Sequence, residues 1–216
     1  SGRVTMKADS SLERAAFDPV SLGDWFKGSV DFNGRGKGRP AGIAVTGGRL
    51  DLRKAPFGKA GDGGASEAPL SGALDHLPVT QGIGLDRFAG DFSLIDGFRG
   101  NFSGLVNGVA PVNGVVAPME GRAAFRIGSQ DAGSVMRAAG MFTKGRGGVM
   151  DLILNPEGSE GRYRGRIEIR NLRVVNAPVL AELLGAISVV GLLEQLNGSG
   201  LLSGKGPGGG SRFSGR

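Results

Sequence analysis

Phenylalanine and glycine share alternate positions along residues 88–106, and this alternation constrains the fold of the 216-residue chain more than any other feature. The two sets are Phe88, Gly90, Phe92 and Leu94, then Phe98, Gly100, Phe102, Gly104 and Val106. A period of two is typical of β-strands with one buried face. Asp96-Gly97 between the sets predicts a two-residue type I′ turn, and Asn107-Gly108 and Asn113-Gly114 predict further turns. Residues 88–117 are therefore predicted to form a meander of short strands.

The same alternation recurs on both sides of the meander. It occurs at residues 26–32, 49–53, 122–127, 150–154 and 163–169. Together these segments predict roughly ten to twelve short strands. Past Asn171 the apolar positions shift to Leu172 and Val174, which predicts a bulge or the end of a strand.

Composition excludes several other fold classes. Glycine accounts for 42 residues and proline for 10, but the glycines follow no Gly-X-Y period, which excludes collagen. This much glycine argues against a coiled coil or a helical bundle, because each interior glycine costs a helix about 1 kcal/mol. A hydrophobic fraction of 39% with 11 phenylalanines is too high for a disordered chain. We therefore expect a mainly β protein.

Two segments have helical rather than strand periodicity. Residues 129–140 predict a short helix with Ser129 as the N-cap and Gly140 near the C-cap. Residues 177–196 predict one longer helix. Its apolar positions follow helical spacing at Leu180, Leu183, Leu184 and Ile187.

The domain organisation is predicted to be simple. Residues 1–197 are expected to form a single β-rich segment. Within it, residues 58–72 are rich in Gly, Ala and Ser and predict a flexible loop. Residues 198–216 are glycine-rich and contain basic but no acidic residues, so they predict a disordered tail. The chain starts at Ser1 without a leader-like segment, which is typical of an excerpt from a longer protein.

The residue types needed for most catalytic and metal sites are scarce. The sequence has no cysteine and one histidine, His76, which excludes a thiolate or multi-histidine metal site within the chain. It contains neither a phosphate-binding P-loop nor a nucleophile elbow, and no acid–base carboxylate pair can be picked out. We expect no enzymatic activity and no catalytic residue, and we also expect no metal or cofactor. His76 is interpreted as a surface residue at a strand end.

The net charge of +6 permits anionic partners such as nucleic acid or phospholipid head groups. Arg35, Lys37 and Arg39 alternate with glycine, and residues 144–148 resemble an RGG fragment. Aromatic residues do not interleave with these cations. This argues against nucleic-acid binding and favours solvated basic loops, so an RNA-binding protein is the third-ranked hypothesis.

The predicted strands place phenylalanines, spaced by glycines, on one face and leave an apolar surface with notches. A helix of about 20 residues cannot cover so many strands. The face therefore needs a second sheet, as in a β-sandwich, or an apolar ligand such as lipid acyl chains. The candidate ligand-lining residues are Phe88, Phe92, Phe98, Phe102, Val106, Phe125 and Ile127.

Three roles remain open for the predicted helix at 177–196. Its charged residues Glu182 and Glu194 argue against a membrane span. Packing in the core, capping the apolar groove or lying on a membrane surface each fit its spacing. The residues that would do so are Leu180, Leu183, Leu184 and Ile187.

Several segments resemble the C-terminal region of AsmA-like proteins, in particular the large YhdP-type group of Gram-negative bacteria. They are residues 166–184, 188–198, 97–108 and 129–133, and the resemblance covers about residues 20–200. It implies an extended, twisted, taco-like antiparallel sheet whose concave apolar groove carries phospholipid acyl chains between the inner and outer membranes. It also implies a periplasmic body held by an N-terminal inner-membrane helix, and no catalytic residue.

The resemblance favours the extended sheet over the sandwich. It implies a non-enzymatic, inner-membrane-anchored periplasmic segment that binds or conducts phospholipid, supports envelope integrity and contacts envelope proteins. The alternative is a structural β-rich interaction module without lipid binding. One departure concerns the C-terminus: after Gly198 the family pattern continues with another strand, whereas this chain continues into the glycine-rich tail.

Overall fold

The computed structural model describes residues 1–55, 68–158 and 162–175 of the chain. Strands make up 61% of these residues and helix 4%, which confirms the mainly β class. All of them lie in one compact unit, Ser1–Pro178. The predicted helix at 177–196, with Leu180, Leu183, Leu184 and Ile187, and the predicted tail at 198–216 lie outside the described residues.

Eleven strands form one open sheet in the order β1-β2-β3-β4-β5-β6-β7-β8-β9-β11-β12, and β10 and β13 form a separate pair. The sheet is not closed into a barrel. The strands are β1 (Gly2–Met6), β2 (Leu12–Leu22), β3 (Phe26–Asn33), β4 (Gly42–Leu50), β5 (Leu70–Pro78), β6 (Gly84–Ser93), β7 (Arg99–Val106), β8 (Ala110–Met119), β9 (Arg122–Ser129), β10 (Gly145–Arg146), β11 (Val149–Pro156), β12 (Tyr163–Arg170) and β13 (Arg173–Val174). The one helix in the described residues is α1 (Ala132–Ala138).

Neighbouring strands of the large sheet are antiparallel except β4 and β5, which are parallel. The extended, mostly antiparallel sheet, which the family resemblance and not the strand pattern favoured over a sandwich, is therefore confirmed. In the described part of the chain, a single large sheet replaces the two packed layers of the alternative sandwich. The predicted meander at 88–117 corresponds to β6, β7 and β8.

Two predicted strand and loop boundaries are wrong. Residues 70–72, predicted as loop, begin β5, because Leu70 and Gly72 pair with both β4 and β6. Residues 51–53, predicted as strand, form a turn after β4. The turn forms around Asp51, whose carbonyl oxygen accepts hydrogen bonds from the backbone N–H groups of Lys54 at 3.2 Å and Ala55 at 3.0 Å. Its carboxylate accepts a further hydrogen bond from the Arg53 N–H at 3.1 Å.

The turn predicted at Asn107-Gly108 is confirmed, since both residues have positive φ values and lie between β7 and β8. The other turns differ from the predictions. Asp96 and Gly97 have the predicted positive φ values of +55° and +100°, but residues 94–98 together link β6 to β7. Asn113-Gly114 lies inside β8 and makes no turn. A two-residue turn that the predictions missed occurs at Glu120-Gly121, between the paired residues Met119 and Arg122.

The short helix is confirmed, with a different N-cap. Asp131 caps α1, and its side chain accepts a hydrogen bond from the Ser134 N–H at 2.9 Å. Ser129 is the last residue of β9, and its hydroxyl donates to the Pro111 carbonyl at 2.8 Å. Gly140 follows the C-cap with φ +71°, as expected for a helix end.

The RGG-like fragment at 144–148 is part of the fold. Gly145 and Arg146 form β10 and pair with Val174 and Arg173. A Cβ atom on Gly133 of α1 would lie 2.7 Å from the backbone of Arg146, so the helix packs directly on this strand. The shift after Asn171 is also explained, because β12 ends at Arg170 and β13 turns away to β10.

Candidate functional site

The register of the large sheet places apolar side chains from neighbouring strands side by side on one face. Paired residues on adjacent strands point to the same side of a sheet. Phe102 pairs with Gly90 and Gly114, Gly114 pairs with Ile127, and Ile127 pairs with Leu152. We call this side the apolar face. Beyond these residues it includes Val4, Phe17, Val30, Phe32, Ile43, Val45, Leu70, Phe92, Val116, Phe125, Leu154 and Ile167.

The opposite side, which we call the polar face, carries charged side chains arranged in cross-strand pairs. Arg14 of β2 lies 2.7 Å from Asp31 of β3, and Arg126 of β9 lies 2.7 Å from Asp151 of β11. The Arg126 guanidinium holds the pKa of Asp151 below its usual value by donating hydrogen bonds to its carboxylate. The sheet therefore has one face suited to water and one that is not.

At one end of the strands the apolar face is well buried. We call it the packed end, where β3 begins at Phe26 and β8 begins at Ala110. One buried cluster joins Val106, Ala110, Val112 and Met150 to Ala132 and Val135 of α1. A second buried cluster contains Phe26, Leu74 and Leu77.

Asp51 stabilises the packed end electrostatically. Its side chain is fully buried, and its carboxylate accepts hydrogen bonds from Arg53 Nε at 2.7 Å and from Arg49 Nη2 at 2.8 Å. The hydrogen bonds and charge of Arg53 and the charge of Arg49 outweigh the opposing effect of burial and lower the pKa of Asp51 to about 2. The alternation at 49–53 gave no signal of this buried carboxylate.

At the opposite end, which we call the open end, the apolar face is lined by half-buried aromatic rings. It lies where β6 ends at Ser93 and β7 begins at Arg99. Phe98 stacks on Phe92 with ring centroids 5.1 Å apart, and Phe88 lies 6.3 Å from Phe92 and 6.0 Å from Phe102. The four rings form one row, which we call the phenylalanine row.

The phenylalanine rings fill the space above the glycines beside this row. The notches predicted at these glycines are therefore not empty. A Cβ atom on Gly90 would lie 2.7 Å from the Phe92 ring, and one on Gly114 would overlap the ring of Phe102. The same relation occurs at the sheet edge, where Phe17 lies 2.9 Å from the Cβ position of Gly2. The rings therefore pack against the backbone of neighbouring glycines and leave no empty notch beside them. The result is a low aromatic floor.

The structure divides the seven predicted lining residues into two groups. Phe88, Phe92, Phe98 and Phe102 come together in the phenylalanine row, and Phe88 also packs against the second buried cluster. Phe125 lies near the same end, with its ring 5.7 Å from Tyr163. Val106 is buried in the helix-covered cluster, and Ile127 packs against that cluster. These last two residues therefore contribute to the core of the packed end.

Sequence reasoning missed part of the apolar face. The rings of Phe17 and Phe32 meet edge to face at 6.1 Å, and Ile43 pairs with both Phe32 and Leu70. The alternation at 26–32 contained the signal for Phe32. Phe17 was hidden because the alternation in β2 breaks between Phe17 and Val20, around Pro19.

In the part of the chain that the structure describes, the polar groups form no recognisable catalytic or metal site. His76 Nδ1 lies 2.7 Å from Asp86 Oδ1 on adjacent strands, near the end of β5 as expected. Among the residues that the structure describes, no group of three or more His, Asp or Glu side chains could hold a metal ion. Within the same residues, no helix has the length and apolar character to span a membrane.

Comparison with known protein families, curated proteins and solved structures finds no match. The functional argument therefore depends on the geometry of the apolar face itself.

Proposed function

We propose that the apolar face binds phospholipid acyl chains, in a non-enzymatic segment of an envelope protein of the kind that the AsmA-like resemblance implies. The observation that carries the proposal is a one-sided apolar surface that runs across all eleven strands of the open sheet. In the described residues, its two buried clusters lie mainly toward the packed end. The phenylalanine row at the open end supplies half-buried aromatic surface for a ligand.

The dimensions suit extended hydrocarbon chains. Strands lie about 4.8 Å apart, so eleven strands span about 48 Å across the sheet. One leaflet of a bilayer has a hydrocarbon depth of about 15 Å, half of the roughly 30 Å core. The face is therefore long enough for about three acyl chains in series. Each methylene group transferred from water to such a surface contributes about 0.8 kcal/mol.

A flat aromatic floor suits transport better than deep notches would. A notch fits one group and holds it in place, whereas rings lying on glycines present similar apolar surface at successive positions. An acyl chain can then slide along the face without losing many contacts at once. In this proposal the protein is anchored in the inner membrane, lies in the periplasm and passes phospholipid between the two membranes.

The test is lipid binding by the 216-residue chain and by two matched variants. Phe98→Asp places a carboxylate in the ring stack with Phe92. Val115→Asp places the same carboxylate on the polar face, where Val115 is already 49% exposed. Bound phospholipid is measured by native mass spectrometry and by thin-layer analysis of the extracted protein, with circular dichroism as a check on folding.

We expect the original chain and Val115→Asp to retain phospholipid, and folded Phe98→Asp to lose at least about tenfold in affinity, which is about 1.4 kcal/mol. No lipid on the original chain after incubation with phospholipid, or equal lipid on all three proteins, would contradict the proposal. Capture of a protein partner by a face that takes no lipid would favour the structural interaction module instead.

A further inference from the structure

We propose that residues 34–41, the loop between β3 and β4, form a head-group site that makes the open end selective for anionic lipids. We call this loop the basic hairpin. The proposal rests on the proposed lipid binding and adds to it the charge of the ligand and the place where the head group is held. Its cations are Arg35, Lys37 and Arg39.

The basic hairpin carries positive charge without internal compensation. It contains three cations and no acidic residue. Other described loops at the open end contain both charges or only acidic residues. Lys7 is accompanied by Asp9 between β1 and β2, Asp96 lies between β6 and β7, and Glu120 lies between β8 and β9. Within the described residues, the cations of the basic hairpin form no ion pair, whereas Arg14 nearby on β2 is paired with Asp31.

The basic hairpin also opens onto the phenylalanine row. A surface pocket of about 430 Å³ lies at the ends of β3 to β6. Its lining includes Arg35 and the backbone of Gly34 together with Ile43, Leu70 and Phe92. The lining also includes Asn33, Ser71 and Asp91, which the register places on the polar face, so at the strand ends the pocket brings a cation next to residues of both faces. A cation beside apolar side chains is the arrangement that an amphiphile with an anionic head requires.

One acidic group lies in the same pocket. Asp91 of β6 contributes to the lining, so the pocket itself holds one cation, Arg35, and one carboxylate. The other two cations of the basic hairpin, Lys37 and Arg39, lie outside the lining and give the loop its excess of positive charge. Positive charge remains in excess, and an anionic head group is favoured over a zwitterionic one. We expect Asp91→Asn to strengthen binding of an anionic lipid, because the substitution removes the negative charge of the Asp91 carboxylate from the pocket.

The observations favour a lipid over RNA. Single-stranded nucleic acid is held by cations together with aromatic rings on which bases stack. The basic hairpin contains no aromatic residue, and the ring of Phe92 is stacked on Phe98. An acyl chain needs only the apolar edge of that row, whereas a base needs a free ring face.

The test compares two lipids with the same tails. Monomeric dihexanoylphosphatidylglycerol and dihexanoylphosphatidylcholine are titrated calorimetrically into the full 216-residue chain, with inorganic phosphate and a single-stranded RNA oligonucleotide as separate arms. The test variant replaces Arg35, Lys37 and Arg39 by Gln. A control variant with the same change in net charge replaces Arg3, Lys27 and Arg166 by Gln, which lie on the polar face of β1, β3 and β12.

We expect the original chain and the control variant to bind the anionic lipid about tenfold more tightly than the zwitterionic one, as three exposed charge contacts of a few-fold each would give. The hairpin variant should bind both lipids equally. Equal binding of the two lipids by the original chain would overturn this inference and leave the proposed function standing. Binding of neither lipid would defeat both. Hairpin-dependent binding of RNA or inorganic phosphate without any preference between the lipids would show a general anion site and also overturn the inference.

Discussion

The packed end and the open end of the apolar face use the same alternating pattern for different purposes. At the packed end, aliphatic residues such as Val112 and Met150 are buried beneath α1. At the open end, the phenylalanine row stays half-buried and rests on glycines. The difference shows that alternation identifies which side of a strand is apolar, while the neighbouring elements decide whether that side becomes core or surface.

The largest expected effect is a difference in stability loss between a Phe→Ala substitution at the packed end and one at the open end. Phe26→Ala removes a ring from the second buried cluster and should lower the free energy of unfolding by about 3–5 kcal/mol. Phe98→Ala removes a half-buried ring and should cost about 1 kcal/mol. Urea denaturation followed by circular dichroism measures both values. Equal losses would mean that the two ends are equally part of the core.

A second prediction tests the aromatic floor. Gly114→Ala places a methyl group where the Phe102 ring lies, and should cost about 1–3 kcal/mol. Gly82→Ala is the control, because nothing lies within 4 Å of its Cβ position, and it should leave stability unchanged or slightly raised.

The reason for that cost is tested by a double variant. Combining Gly114→Ala with Phe102→Leu should recover at least about 1 kcal/mol relative to the sum of the single changes, since the smaller side chain leaves room for the methyl group. Strict additivity of the two changes would show that the ring does not rest on Gly114.

A smaller effect, whose pH dependence falls in the acid range, is expected at Asp51 of the packed end. Its pKa is lowered in the folded protein from 3.8 to about 2. Stability from the ionised carboxylate is therefore complete above its ordinary pKa and is lost as the pH falls toward 2. Asp51→Asn should lower the urea midpoint at pH 7, and the difference from the original chain should shrink between pH 4 and pH 2. A difference that does not change with pH would contradict the assigned ion pairs.

Much of this fold was predictable because local patterns agree with it. The alternation at 88–106 located β6 and β7, and the helical spacing after Ser129 located α1. The row of Phe88, Phe92, Phe98 and Phe102 followed from the same alternation. These features depend on residues close together in the sequence, so a periodic pattern suffices to find them.

The rest depends on contacts between distant residues. Asn113-Gly114 has the composition of a turn but lies inside β8, where Gly114 accommodates the ring of Phe102. The parallel pairing of β4 with β5 and the burial of Asp51 likewise arise from strands meeting across the sheet. Periodicity also could not separate Val106, which is buried beneath α1, from Phe102 on the same strand.

Photo-crosslinking is the sharpest test of the proposed contact between acyl chains and the open end of the apolar face. A phospholipid with a photoactivatable group on its acyl chain is irradiated with the 216-residue chain, and labelled residues are identified by peptide mass spectrometry. We expect label on Phe92, Phe98 and their neighbours in the apolar face, and little on Val115 or on the buried Val112. Label concentrated on the polar face, or a folded chain that takes up no label, would contradict the proposed contact.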